Sequence, residues 1–169
     1  YTIHDGGDFA LTIHVPQHAV KVSLHVNGEE VSNVTADGYC RIQRNWQPGD
    51  CVIAEFDMPV RRIHAHPRVR DAAGKVAIAR GPLVYCIEST DQMAILSGIV
   101  LPEDAVIHTV ESGAEAMVLL HAEGLAQEVS DELYSVNTIS TTPVQIRAIP
   151  YFSWGNRVQG NMQVWIREA

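Results

Sequence analysis

The sequence is poor in cysteine and lysine, and it has no long apolar run. Three cysteines cannot all pair within one chain of 169 residues, and only two lysines accompany ten arginines. No apolar run approaches the roughly 20 residues that span a bilayer. The first residues also lack the basic and then apolar layout of a signal peptide. The sequence therefore predicts a soluble chain without a membrane partner.

Excess basic charge is also absent, since the formal net charge is −8. A nucleic-acid partner is excluded on this ground, because its recognition needs a basic stripe that displaces counterions from phosphates. The one basic cluster is Arg61-Arg62, followed by Arg68 and Arg70. Charge runs usually mark exposed faces, so we predict a solvated or interface-facing edge here rather than an anion site.

The three cysteines, Cys40, Cys51 and Cys86, each lie within an apolar, strand-like run. No CxxC or Cys-His spacing indicates a metal site, and we predict no cofactor in this chain. A buried free cysteine behaves as a small hydrophobic residue, so all three are predicted to be core thiols in a reducing, cytoplasmic compartment. A Cys40–Cys51 bridge across a hairpin is the alternative.

Alternating apolar and polar residues predict β-strands along almost the whole chain. The predicted strands are Phe9–Val15, Val20–Val26, Glu29–Val34, Tyr39–Arg44, Cys51–Asp57, Lys75–Arg80, Leu83–Glu88, Val106–Val110, Met117–His121, Val144–Pro150 and Met162–Arg167. Asn27-Gly28 supplies the turn of a two-residue hairpin. Gly81-Pro82 forms a second tight corner, and if Gly81 has positive φ there, a larger residue is expected to be strained at this position. Turn signals recur about every 8–12 residues, which is typical of an all-β antiparallel sandwich.

The segment Met58–Pro67 carries a proline at each end and an arginine pair, so it is poorly suited to a core strand. We predict that one sandwich unit, N-terminally truncated, covers residues 1–62 and that a second covers residues 63–169. Two stretches of weak pattern, Ser89–Pro102 and Ala122–Thr142, are predicted to be long connections. The chain also begins in mid-pattern at Tyr1, as a piece of a longer polypeptide would.

Residues that could carry chemistry are few. A glycosidase needs two carboxyl groups aimed at one sugar, whereas most acidic residues here lie at turns. His64 and His66 project from one side of an extended segment, but a third metal ligand is missing, which favours surface or inter-domain hydrogen bonding. No nucleophile elbow, P-loop or dinucleotide fingerprint occurs. We therefore predict no catalytic, cofactor-binding or metal-binding residue.

The segment PYFSWGNR, Pro150–Arg157, is the one candidate site. Clustered aromatics beside planar donors can stack on a sugar or dock on a protein surface. The candidate contact residues are Tyr151, Trp154, Asn156 and Arg157. We favour packing or docking over a sugar platform, because the aromatic content is low. In the packing alternative, Phe152 and Trp154 plug the end of the sandwich.

Six segments together resemble one known family. They are VNGE (Val26–Glu29), GYCRIQRNWQPGD (Gly38–Asp50), MPVRRIHAHPRV (Met58–Val69), RGPLVYCIE (Arg80–Glu88), PYFSWGNR and MQVWI (Met162–Ile166). In order and spacing they are similar to the C-terminal β-sandwich region of glycoside hydrolase family 127, the β-L-arabinofuranosidase-like proteins. One departure is Val15-Pro16-Gln17-His18-Ala19, where the family tends to carry a tryptophan.

The resemblance implies an accessory region without catalytic residues of its own. In the family, an N-terminal (α/α) barrel holds zinc, a cysteine nucleophile and a glutamate acid/base, and its Glu-x-Cys and Cys-Cys motifs have no counterpart here. The implied partners are that barrel, within the same polypeptide, and a second copy in a homo-oligomer. The alternative is a carbohydrate-binding module for arabinosylated glycans.

Overall fold

The computed structural model describes residues 1–31, 37–113 and 117–169 and divides the chain into two compact units, Tyr1–Pro59 and Val60–Ala169. Within the described ranges the regular structure consists of fourteen β-strands and three short 3-10 turns. No helix in these ranges is long and apolar enough to cross a membrane. The all-β fold class predicted from the sequence is confirmed.

The first unit is built from two small antiparallel sheets. Its strands are β1 (Gly7–His14), β2 (Lys21–Val26), β3 (Glu29–Glu30), β4 (Tyr39–Trp46) and β5 (Val52–Asp57). β1 pairs with β4, and β2 lies between β3 and β5. Alternate residues of these strands form one buried cluster, which consists of Ile13, Leu24, Val26, Cys40, Ile42, Trp46 and Val52. The first unit therefore has a core of its own.

The turn between β2 and β3 confirms the hairpin predicted at Asn27-Gly28. Both residues have positive φ, 52° for Asn27 and 85° for Gly28, as a type I′ turn requires. β3 ends at Glu30, so it is shorter than the predicted strand Glu29–Val34. Residues 32–34 of that prediction lie outside the described residues.

The second unit is a single sheet that closes on itself. Its strands are β6 (Val60–His64), β7 (Lys75–Arg80), β8 (Leu83–Glu88), β9 (Ile99–Leu101), β10 (Ile107–Ser112), β11 (Met117–Gln127), β12 (Thr141–Pro150), β13 (Met162–Gln163) and β14 (Ile166–Glu168). The order is β13-β8-β12-β11-β9-β14-β7-β6, with β10 also paired to β11. Because β7 pairs with β8 as well as with β14, the sheet forms a ring. All pairings but one, β14 with β9, are antiparallel.

Apolar side chains fill the ring. The buried core residues are Val76, Ile78, Tyr85, Ile87, Leu96, Ile99, Leu101, Leu120, Ala122, Ile146, Ala148 and Ile166. A smaller cluster, Cys86, Leu119 and Ile149, is formed by residues that alternate with core residues on β8, β11 and β12. It therefore lies on the opposite face of those strands, and this sheet is covered on both sides.

Two strand predictions for the second unit need correction, and its observed start differs from the predicted one. The predicted connections contain β9 and the second half of β11. β9 is only three residues long and wholly buried, and the inward residues of the second half of β11 are Ala122, Gly124 and Ala126, whose small side chains give no apolar alternation in the sequence. The predicted strand Met162–Arg167 is two strands, β13 and β14, with different partners. The division after Pro59 falls before the predicted boundary at residue 62, since β6 pairs along its whole length with β7.

The Gly81-Pro82 corner joins β7 to β8 as a two-residue hairpin, with Arg80 opposite Leu83. Gly81 has φ 54°, which places glycine at the first position of the loop, as in a type II′ turn. Nη2 of Arg61 donates a hydrogen bond of 2.7 Å to the Gly81 carbonyl oxygen. The tight corner predicted at Gly81-Pro82 is therefore confirmed, and Gly81 meets the condition of positive φ.

Candidate functional site

Three aromatic side chains are exposed where β12 ends. Tyr151 is 48%, Phe152 65% and Trp154 42% exposed, and we call these three residues the aromatic step. The rings of Tyr151 and Trp154 have centroids 6.5 Å apart and planes inclined by 25°. The step is therefore an apolar surface rather than the plug that the sequence suggested for Phe152 and Trp154.

The local sequence explains why the chain turns here. Pro150 is the last residue of β12 and has no backbone N–H to continue the ladder. Ser153 Oγ donates to the Pro150 carbonyl at 2.7 Å, and Trp154 N donates to the Tyr151 carbonyl at 3.2 Å, so residues Tyr151–Ser153 form a 3-10 turn. Gly155 then adopts φ 75°, a conformation that glycine accepts without strain.

Beneath the step lies a cluster of two acids and two arginines, Glu88, Asp91, Arg147 and Arg157, which we call the ion-pair cluster. Nη1 of Arg157 donates to Asp91 Oδ1 at 2.8 Å, and its Nη2 donates to both Glu88 and Asp91. Arg147 donates to Asp91 as well. The cluster is neutral overall when its four members are ionised.

Glu88 links the ion-pair cluster directly to the backbone of the turn. It is only 3% exposed, and its Oε1 accepts a hydrogen bond of 2.8 Å from the backbone N–H of Gly155. A buried carboxylate is tolerated only when it is paired and hydrogen-bonded, and Glu88 has both kinds of partner. The chain that follows the aromatic step is thus fixed to the end of β8.

The pKa values in the cluster reflect these contacts. Burial acts to raise the pKa of Asp91, but the hydrogen bonds and charges of Arg157 and Arg147 outweigh it and hold that pKa below its ordinary value. The hydrogen bond to Asp91 raises the pKa of Arg157 above its ordinary value. Burial, aided by the charges of Glu88 and Asp91, raises the pKa of the nearby Cys86 thiol to about 11. Cys86 is therefore protonated and unreactive at neutral pH.

The four residues predicted as contact residues thus divide into two groups. Tyr151 and Trp154 face solvent, and Asn156 is exposed next to them. Arg157 instead makes three hydrogen bonds to carboxylates, and its side chain is only 30% exposed. Neither Glu88 nor Asp91 was identified from the sequence as part of a site. The available signal was that a charged residue, Glu88, ends an apolar run.

The histidines and cysteines do not assemble into a metal site within the part of the chain that the structure describes. His64 Nε2 lies 2.7 Å from Glu168 Oε2, and His66 Nδ1 accepts a hydrogen bond from the backbone of Arg68. All three cysteines are free; Cys40 and Cys86 are buried as predicted, but Cys51 is only half-buried. The described residues therefore do not fit the zinc that the family resemblance implies for the barrel.

The cavity beside the aromatic step is small. It measures about 260 Å³ and is lined by Met117, Ile149, Ser153, Asn156 and Arg157. A larger open groove of about 840 Å³ surrounds Gln92, whose Oε1 has no hydrogen-bond partner among the described residues. Ligand pockets usually hold about 300–1,000 Å³ and bring several polar groups together. The cavity by the step is below that range, so the step offers a surface rather than a pocket.

The fold and the aromatic step define a two-unit β-sandwich protein with an exposed apolar surface. Comparison with protein families matches residues 60–167 to the glycoside hydrolase family 127 C-terminal domain. Residues 2–58 match the family described as beta-L-arabinofuranosidase, GH127 middle domain. The chain belongs to glycoside hydrolase family 127.

Individual relatives agree with this assignment. A non-reducing end beta-L-arabinofuranosidase of Bifidobacterium longum subsp. longum is 34% identical over 86% of this chain and 24% of its own length. A crystal structure of a GH127 beta-L-arabinofuranosidase from Geobacillus stearothermophilus T6 is 40% identical, with a TM-score of 0.82 over 97% of this chain and 27% of that one. A second solved structure, a glycoside hydrolase, is 34% identical with a TM-score of 0.82. The chain thus spans about a quarter of the length of the relatives it matches.

Proposed function

We propose that this chain is the non-catalytic accessory region of a β-L-arabinofuranosidase-like glycoside hydrolase. In this proposal an N-terminal (α/α) barrel of the same polypeptide carries the zinc and the catalytic residues, and the present region packs on the barrel and stabilises it. The observation that carries the proposal is the match to only 24–28% of each relative, in domains described as middle and C-terminal.

The geometry of the described residues supports this assignment. Most glycoside hydrolases use two carboxyl groups that flank one bond, and in the family that this chain resembles a cysteine nucleophile and a glutamate acid/base take these roles. The ion-pair cluster holds two acids, Glu88 and Asp91, and both are paired with Arg157. Arginine pairing keeps Asp91 ionised, and a general acid needs the opposite, a raised pKa.

The proposal is tested by comparing two polypeptides, the 169-residue chain and the product of the same gene extended upstream of Tyr1. We expect turnover of an aryl β-L-arabinofuranoside, and bound zinc, in the extended polypeptide only. Turnover by the 169-residue chain that disappears when one of its own residues is replaced would contradict the proposal.

A carbohydrate-binding module is the second candidate, and the nearly parallel rings of Tyr151 and Trp154 favour it. Stacked rings bind sugars only together with free donors and acceptors for the hydroxyl groups. Titration of the 169-residue chain with L-arabinose oligosaccharides, followed by tryptophan fluorescence, decides between the two. Saturable binding that Trp154→Ala abolishes would establish the sugar site.

The proposed setting is a reducing, cytoplasmic compartment, which the three free cysteines support. We propose no nucleic-acid or membrane partner, in keeping with the net charge of −8. A second copy of the chain is a further candidate partner. Size-exclusion chromatography with light scattering tests for that copy.

A further inference from the structure

We propose that the aromatic step, Tyr151, Phe152 and Trp154, is the contact by which this region docks on the N-terminal part of its own polypeptide. The inference rests on the proposed function and adds to it the surface that makes the contact. Three large aromatic side chains, each 42–65% exposed within four residues of sequence, form an apolar patch, and the largest apolar patch on a protein surface is often a functional one.

The step is held rigid before any partner arrives. Its backbone is closed by the hydrogen bonds of Ser153 and Trp154, and Gly155 is fixed by Glu88. Arg157 then ties the end of the segment to both acids of the ion-pair cluster. Because the backbone that carries the rings is already ordered, binding costs little additional backbone entropy. Rigid, exposed aromatic anchors are the residues that dominate the energy of protein interfaces.

The charges around the step favour a protein surface over a sugar. Sugar hydroxyls need planar donors and acceptors that are free to bind them, and the nearest guanidinium, that of Arg157, makes three hydrogen bonds within the chain. The carboxylates of Glu88 and Asp91 are likewise paired. What the step offers to solvent is therefore mainly ring surface beside a neutral cluster, with the amide of Asn156 as the exposed planar group next to it.

The size of the step decides between a tethered partner and a second copy. Half-exposed aromatic rings offer about 100 Å² each, so the step offers roughly 300 Å² in all. A stable interface between separate chains buries about 800 Å² on each partner, so the step alone is too small to hold a dimer. A partner in the same polypeptide is present at an effective concentration of about millimolar, for which a small aromatic anchor suffices. Relatives about four times as long as this chain provide such a partner.

Hydroxyl-radical footprinting of the two polypeptides described above tests the proposal. Modification of the step is read by mass spectrometry and normalised to Tyr134, which is 91% exposed, and to Met93, which is fully exposed. Since the centre of an interface excludes water, we expect modification of the step to fall about fivefold in the extended polypeptide. Trp154→Ala should lower the melting temperature of the extended polypeptide more than that of the 169-residue chain, whereas Tyr134→Ala should affect both equally.

Three other footprinting results would overturn the docking proposal. Equal modification in both polypeptides, while the extended one hydrolyses the arabinofuranoside, would remove the docking surface and leave the proposed function in place. Protection of the 169-residue chain that grows with its own concentration would assign the step to a second copy. Protection by L-arabinose oligosaccharides would assign it to sugar binding. An extended polypeptide without activity would contradict the proposed function, and the footprint would still report on docking.

Discussion

Nη1 of Arg62 and Oε1 of Glu168 lie 2.7 Å apart, which connects β6 to β14 on either side of β7. The same guanidinium donates two hydrogen bonds of 2.9 Å to the carbonyl oxygens of Pro102 and Ala105. Arg62, which lies on the edge strand β6, therefore bonds both to β14 and to the segment that follows β9. The planar fork of arginine makes these three contacts possible at once.

Replacing Arg62 by lysine should destabilise the second unit by about 1–3 kcal/mol, because a single ammonium group leaves at least one of the carbonyl groups without its partner. The measurement is the free energy of unfolding in urea. Arg68→Lys, at an exposed position, is the matched control and should change it little. An Arg62→Lys chain as stable as the wild type would show that water replaces these contacts without cost.

Asp91→Asn should destabilise the chain by about 1–3 kcal/mol near neutral pH, because it removes the charge that Arg147 and Arg157 share. The pKa of Asp91 is lowered from its ordinary value of 3.8, so its stabilising contribution is complete above that pH. That contribution is lost as the pH falls through the lowered, folded-state value. We therefore expect the stability difference between wild type and variant to be constant from about pH 5 to 7 and to shrink below pH 4. Denaturant titrations across this range measure it, with Asp131→Asn as the exposed control.

Gly124→Ala should destabilise the second unit by about 1–3 kcal/mol through overpacking. A Cβ at this position of β11 would lie 2.3 Å from Cδ1 of Ile146 and 2.9 Å from the Val100 carbonyl oxygen. Ile146→Val removes the closer atom. The double variant should therefore be destabilised by less than the sum of the two single variants. Strict additivity in thermal unfolding would mean that the two residues do not compete for this space.

Gly81→Val should cost about 1–3 kcal/mol, because valine at φ 54° is strained in the turn between β7 and β8. Gly113→Val is the matched control: Gly113 is exposed and has no positive φ, and a Cβ added there would meet no atom within 4 Å. Denaturant midpoints compare the two variants. A Gly81→Val midpoint equal to that of the wild type would show that the turn does not need glycine.

Turn chemistry and strand alternation predicted most of this fold from sequence. Asn27-Gly28 and Gly81-Pro82 were predictable because positive φ is a local requirement that few residues meet. The ion-pair cluster was not, because Glu88 and Arg157 are 69 residues apart and only the pairing of distant strands brings them together. The exposure of Phe152 was missed, because hydrophobicity indicates that a side chain prefers burial but does not show whether the chain provides a surface that buries it.

The pairing of β14 sets the order in which the second unit can form. This three-residue strand, Ile166–Glu168, fills the position between β9 and β7 and is synthesised after every other strand described here. Its partner on β7 is about 90 residues earlier, so the ring closes through contacts of long sequence separation, which form slowly. During synthesis the parts of β7 and β9 that pair with β14 stay unpaired until residue 168 has emerged, and unpaired edges are the surfaces on which chains aggregate. Deletion of residues 166–169 should therefore lower soluble yield far more than the loss of one core side chain, that of Ile166, and of the ion pair of Glu168 suggests.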